Sequence, residues 1–315
     1  MFDATYHLIK PNGCMPQIGD NDSGQLFNIF PRNSVETIHL LNHGSLFFNE
    51  KKWKISEFQD DVSTKVEPGL FYGKTGLANW TNFKAQPIDA IPAKIFPKSG
   101  WAVLRHKTDY CIVSAGANGQ DGIGGHSHND KLSFELVSGD DEFIIDPGTY
   151  IYTANPEKRN QFRSSRCHNT ASVDACEQNN LLWSELFKLT DRTNAKILGF
   201  ADKKSHISLL VGHSGFSHLN NPVNHRRKFL FYKSRGCLKI LDYFSGQGRH
   251  KIELNLNTGL FFGINVRMNS NIDWVRTTGE RSVGYGLKSE CNQLKSELTA
   301  ELPLRVYTKL EWDQN

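Results

Sequence analysis

Residues 124–169 read GGHSHNDKLSFELVSGDDEFIIDPGTYIYTANPEKRNQFRSSRCHN, and both the secondary structure and the chemistry of the chain turn on this stretch. Leu132, Phe134 and Leu136 alternate with polar neighbours, which places them on one face of a strand. A second apolar run, Phe143-Ile144-Ile145, leads straight into Asp146-Pro147-Gly148. Joined through Gly139-Asp140-Asp141, the two runs predict a β-hairpin that brings His128 close to Asp146. His168, beside Asn169, then returns from a longer loop. His128, Asp146 and His168 are therefore expected to form a metal site assembled from distant segments.

His126 and His128 are two residues apart, so in extended backbone they point the same way. Gly122, Gly124 and Gly125 let them diverge, one towards a substrate and the other inward to a metal. Two imidazoles and a carboxylate, with no thiolate, suit zinc best without being unique to it. A histidine by itself is more often structural or solvated than a ligand, so the argument rests on the three groups converging. Asp130 can orient a ligand imidazole or serve as a plain turn acceptor. Glu135 is expected on the solvent face of its strand, and Tyr152 in the core. Tyr150 is open between a core edge and an acid/base phenol.

Upstream, residues 1–33 are rich in turn formers (Pro11-Asn12-Gly13, Ile18-Gly19-Asp20) and read as loop that packs on something else. Ser34 is a fair N-cap, and Val35, Ile38 and Leu41 recur at helical spacing, predicting a helix to about Phe48. A shorter helical piece is expected over Lys54–Phe58, and loop over 60–98, where Pro and Gly are dense. Downstream, short apolar runs separated by turn residues recur from Trp101 to Thr277, with a last one at Leu304–Leu310. Lys228–Tyr232 and Lys239–Tyr243, joined through Ser234-Arg235-Gly236, read as a second hairpin. This predicts a mainly β protein with a large antiparallel β-sandwich, divided into residues 1–60 and 61–315.

A formal net charge of +4 over 315 residues is too small to imply nucleic acid. Basic residues bunch at Lys158-Arg159, Arg163 and Arg166, which favours an acidic ligand, and at His225–Lys228, which reads as a solvated strand face. The six cysteines show no CxxC pairing, and Cys111 and Cys237 sit in apolar runs as small hydrophobes. No apolar run is long enough to span a membrane, and Met1–Thr5 is not the basic start of a signal peptide.

GGHSHNDKLSFEL, IIDPGTYIYT and RNQFRSSRCHNT, taken in order, resemble the C-terminal domain of the heparinase II/III-like polysaccharide lyases, a group with relatives among alginate lyases. PQIGDNDSG near the start is similar to the tail of that family's preceding domain. The resemblance implies an (α/α) toroid followed by an antiparallel sandwich, with residues 1–60 as the end of the toroid and most of the toroid absent from this chain. It implies a largely structural zinc ion on His128, Asp146 and His168. It places His126 against the uronate ring of the substrate, as the base or as a carboxylate ligand. Arg163 and Arg166 are expected to hold an anionic sugar, though either can brace the loop instead. The implied reaction is β-elimination on an acidic polysaccharide such as a glycosaminoglycan, alginate or capsular glycan, in the periplasm or cell envelope. The family's acid/base tyrosine and the residue that neutralises the uronate carboxylate come from the toroid, and no part of this chain matches them. The competing expectation is a non-catalytic, metal-stabilised sandwich that binds acidic polysaccharide or serves surface-polysaccharide metabolism.

Overall fold

The computed structural model describes residues 1–22, 24, 29–58, 62–260 and 262–313. Three helices come first: α1 (Phe2–Leu8), α2 (Ile38–Phe48) and α3 (Val62–Asn82). Strands β1 (Lys94–Phe96), β2 (Trp101–His106), β3 (Asp109–Ser114), β4 (Phe134–Ser138) and β5 (Asp141–Ile144) follow, then helix α4 (Pro156–Arg163) and β6 (Ala171–Val173). The rest is β7 (Lys196–Asp202), β8 (His206–Phe216), β9 (Val223–Tyr232), β10 (Gly236–Ser245), β11 (Arg249–Thr258), β12 (Val266–Ser270), β13 (Val275–Gly284), β14 (Leu287–Glu301) and β15 (Leu304–Trp312).

The strands form two antiparallel sheets. In one, the order is β1-β2-β3-β4-β5-β11-β14-β13, with β6 also pairing to β11, nine strands among the described residues. In the other, six strands run β12-β15-β10-β9-β8-β7. Leu104, Val113, Phe134 and Leu136 of the first sheet meet Leu209, Phe229, Leu238 and Leu310 of the second in one buried core. A second core, with Ala171, Ile252 and Leu254 against Phe216, Phe244 and Val306, fills the other end of the sandwich.

The first sheet is covered on its outer face as well. Leu8 packs there on Val103, Tyr110, Ile112 and Val137. This explains why β3 is buried at every position: one face meets the second sheet and the other meets the N-terminal segment. Residues 1–33, expected to be loop, therefore carry a helix, α1, whose Leu8 makes this contact while its Tyr6 packs with Leu41 and Trp53. Residues 60–98 also differ from expectation. Pro68, Gly69, Gly73 and Gly76 read as loop, yet α3 spans them, broken at Gly73 (φ 64°), while Tyr72 donates a hydrogen bond to the carbonyl of His43 on the neighbouring α2. Tertiary support outweighs weak propensity here. The same holds for β14, which sequence patterning left out. Its charged run Leu287–Glu301 is held by register with β11 on one side and β13 on the other.

The His225–Lys228 cluster is not a solvated face. It alternates, with Arg226 exposed and His225 and Arg227 fully inside the sandwich. Arg227 pairs with Asp242 on β10 and donates to the carbonyls of Leu132 (2.9 Å) and Asn169 (2.7 Å) across the interior. Asn169 in turn donates to the carbonyls of Phe134 and Ile145, and its Oδ1 accepts from the amide of Asn257. The two sheets are thus cross-linked directly beneath the loop that carries His126 and His128.

Glu135 is likewise buried rather than solvated, with only 4% of its surface exposed. It faces Lys10, which also pairs with Glu142, and Glu142 is bound again by Arg281. Burial, helped by the charges of Asp146 and Glu142, pushes the Glu135 carboxyl up to about 7 against the opposing charge of Lys10. Glu142, less enclosed and clasped by two cations, is held down to about 2. Glu142 is therefore the main partner of Lys10. The sign of the pH effect follows. Folded Glu135 keeps its proton up to about pH 7, while the unfolded chain releases it near 4.5, so its contribution to stability declines as pH rises through that window. Glu135→Gln, which keeps an acceptor for Lys10, should remove roughly 2–4 kcal/mol of that decline. Urea unfolding of both proteins between those pH values checks it, and parallel stability curves would contradict it.

Candidate functional site

The loop that carries the histidines is shaped by close backbone approaches. A Cβ at Gly124 (φ 68°) would sit 2.4 Å from the carbonyl oxygen of Leu189, and one at Gly19 (φ 69°) 2.5 Å from that of His126. Only glycine fits either place. Gly19 thereby lets the next residue, Asp20, lay its amide on the His126 carbonyl at 3.0 Å. The amide of Leu189 bonds the Ile123 carbonyl, so residues 187–191 run beside the glycine-rich turn.

Asp20 is the centre of the cluster, and its side chain is 2% exposed. Its Oδ2 meets His126 Nδ1 at 3.0 Å and its Oδ1 meets His128 Nε2 at 2.9 Å. Both terminal nitrogens of Arg159 donate to the same carboxylate, Nη2 at 2.7 Å. Burial alone would raise the Asp20 carboxyl; the hydrogen bond and charge of His128, then those of Arg159, hold it well below the usual carboxylate range. Arg159 is fully buried, and its guanidinium lies 5.1 Å from the ring centre of Tyr152 and 5.5 Å from that of Phe187.

His128 and His168 come together, with ring centres 5.2 Å apart. Asp146 accepts from His168 Nδ1 at 2.8 Å and from the amide of Gly148. Burial lowers His168, but the charge and hydrogen bond of Asp146 outweigh it and raise the group; His128, equally buried, is lowered. His128 Nδ1 and His168 Nε2 are both buried without a hydrogen-bond partner. In the neutral rings, Nε2–H of His128 on Asp20 and Nδ1–H of His168 on Asp146 leave these two nitrogens with lone pairs. Two such donors fit a cation in kind. Among the described residues, however, no group of three or more His, Cys, Asp or Glu side chains converges as a metal cage. Asp146, as placed, faces His168.

A cavity of about 780 Å³ opens beside this cluster, lined among others by Lys98, Trp101, Asn118, Gln120, His126, His128 and Asp130. The His126 side chain is 62% exposed there. No tyrosine is among its described lining residues. Asp130 is buried against Lys131 and Ser114, below the two histidines.

The two arginines expected to hold substrate lie elsewhere. Arg163 is fully buried, and its guanidinium is spent on the Leu186 carbonyl (2.9 Å) and Asn160 Oδ1 (2.6 Å). It braces the 185–187 loop. Arg166 is half-exposed, pairs with Glu253 and lines a separate 420 Å³ cleft with Cys167, Asn257 and Lys295. The reason is α4, in the stretch expected to be loop. Asn155 caps it by accepting from the Lys158 amide, and Pro156 opens it. On that helix it is Arg159, not Arg163, that reaches the histidines. Asp20 was legible only as a carboxylate after a glycine in a motif, with nothing local to tie it to His126 over a separation of 106 residues.

The model of the family described as heparinase II/III-like, C-terminal, matches residues 89–301. A comparison with curated proteins returned no match. Among solved structures, heparan sulfate lyase HepC from Pedobacter heparinus is similar with a TM-score of 0.70 and 15% identity, over 99% of this chain and 46% of its own. A structure titled heparinase III is similar with a TM-score of 0.70 and 16% identity, over 100% of this chain and 48% of its own. The chain thus spans about half the length of these structures, and at such identity they speak for the fold alone. With the family match covering most of the sandwich, the chain belongs to the heparinase II/III-like family, through that family's C-terminal domain.

Proposed function

We propose that this chain serves a polysaccharide lyase-type reaction, β-elimination on an acidic, uronic-acid-containing glycan. The observation that carries this reading is His126: an exposed imidazole on the wall of the large cavity, its other nitrogen held by the buried Asp20 carboxylate. With Nδ1–H donated to Asp20, His126 Nε2 keeps a lone pair towards the cavity, and Asp20 stabilises the cation that forms when it takes a proton. In the elimination the C5 proton leaves to a base, its electron pair forms the C4–C5 double bond, and the C4–O bond breaks to an oxygen that takes up a proton. Lys98 and the side-chain amide of Gln120 line the same cavity and supply polar groups for an anionic sugar. The names of the similar structures, heparan sulfate lyase and heparinase III, favour a glycosaminoglycan over alginate or capsular glycan.

The absence of a tyrosine from the described lining favours a second reading, in which the site binds the glycan without turning it over. Incubating the protein with heparan sulfate, heparin, chondroitin, hyaluronan and alginate, and following ultraviolet absorbance of the unsaturated uronate, separates the two. The lyase reading expects a rise with one substrate, abolished by His126→Ala. A flat trace with retained, His126-dependent binding sinks the lyase reading and leaves the binding one.

The same reading includes a structural zinc ion on His128 and His168, supported by their two partnerless buried nitrogens, with Asp146, expected as a third ligand, bonded instead to the other nitrogen of His168, where it orients that ring. When bound, such an ion supplies a cross-link between the histidine loop and the return after α4, not a reacting group. Zinc should raise the melting temperature of the wild type by several degrees and leave that of His168→Ala unmoved. Identical melts with zinc and with a chelator would remove the metal from the account.

A further inference from the structure

Beside His126 the surface carries a run of aromatic rings that the proposed chemistry does not use. The His126 ring lies 6.0 Å from that of Phe187, Phe187 lies 5.3 Å from Tyr152, and Tyr152 lies 5.0 Å from Tyr285. All three steps are edge contacts, so successive rings turn their faces in different directions. Phe187 is 40% exposed and Tyr285 43%. Trp183, on the same loop as Phe187, is 66% exposed. Scattered exposed apolar residues need no explanation, but a contiguous strip leading out of a polar cavity does.

The strip is held in place. Tyr285 occupies the two-residue turn between β13 and β14, where the amide of Gly286 bonds the Tyr150 carbonyl at 2.7 Å and that of Ser282 bonds the Pro147 carbonyl at 2.7 Å. Phe187 sits on the loop that Arg163 braces through the Leu186 carbonyl. Beneath both, the Arg159 guanidinium lies within cation–π range of Tyr152 and Phe187. Tyr152 is pinned by its hydroxyl donating to Asp22 at 3.3 Å. Two rings over a buried arginine and a third set by its turn, with outer edges in solvent, form a prepared surface rather than a frayed core.

We propose that Phe187, Tyr152 and Tyr285 form a stacking track for successive sugar rings of the acidic glycan, extending the His126 cavity along the β13–β14 turn. The occupant follows from chemistry and continuity. The C–H faces of pyranose rings pack on aromatic surfaces, and the track begins in ring contact with the residue facing the cavity. Lysines lie at both ends: Lys188 follows Phe187 in sequence, and Lys288 stands 5.4 Å over the ring of Tyr150, two residues before Tyr152. Each is paired with a carboxylate of this chain, Lys188 with Glu185 and Lys288 with Glu280, so an anionic sugar would have to share or displace that partner. The proposal rests on the reading of His126 as a glycan-facing residue, and it adds a dependence on chain length that this reading does not require.

The test compares calorimetric binding of heparan sulfate disaccharide and hexasaccharide to wild type, His126→Ala, Phe187→Ala, Tyr285→Ala and Phe187→Trp. The track predicts that Phe187→Ala and Tyr285→Ala each weaken hexasaccharide binding roughly three- to tenfold while leaving the disaccharide within about twofold. Phe187→Trp should restore the hexasaccharide affinity. His126→Ala should weaken both ligands alike. Unchanged hexasaccharide binding in both alanine variants, with His126→Ala still impaired, overturns the track and leaves the cavity reading standing. Equal losses for both ligands, unrescued by tryptophan, overturn it as a merely structural effect. A concentration-dependent dimer in the wild type that the alanine variants abolish overturns it in favour of a contact between copies. Wild type that binds neither ligand overturns the glycan reading and the track with it.

Discussion

The carboxylate of Asp20, with 2% of its side chain exposed, takes hydrogen bonds from His126, His128 and both terminal nitrogens of Arg159. A buried anion of this kind is costly unless it is fully paired, so each partner is fixed by the need of the others. Asp20 comes from the segment after α1, the histidines from the glycine-rich loop before β4, and Arg159 from α4. Three stretches of chain thus meet at one carboxylate. The exposed face of His126, the arginine under the aromatic strip and the enclosure of His128 next to His168 all descend from that meeting.

Beneath it, the sandwich supplies a rigid floor. Arg227, on the second sheet, reaches through the interior to the carbonyls of Leu132, just after the histidine loop, and Asn169, just after His168. Leu132 itself adopts a left-handed conformation (φ 65°) at full burial, a strained state that persists only where its surroundings over-determine it. Arg227 and the Leu132 amide, which bonds the Ser114 carbonyl, do so. A site on such a floor has little freedom to rearrange, which suits recognition of an extended polymer by fixed groups.

How much of this was legible in the sequence depended on the range of the interactions. The β4–β5 hairpin and the alternation of β9 and β10 follow from local patterning, whereas the hydrogen bonds of Asp146 to His168 and of His128 to Asp20 do not. The buried roles of Glu135 and Arg227 do not, because a charged residue reads as solvated until its partners, Lys10 and Asp242, are placed beside it. Likewise β14 carries few apolar residues and owes its conformation to strands on both sides. Arg163 and Arg166 were singled out over Arg159 because helical phase was hidden in a stretch that looked like loop. One helical turn separates the residue that braces from the residue that reaches the histidines.

The central claim is that Asp20 and Arg159 are coupled, and a double-mutant cycle measures that coupling directly. Unfolding free energies of wild type, Asp20→Asn, Arg159→Met and the double variant would be compared under identical conditions. Each single change leaves one buried charge without its partner, and the double change relieves both. A coupling energy above about 1.5 kcal/mol is predicted. Additive effects, within about 0.5 kcal/mol, would mean that the two residues act independently and that the site is held together by something else.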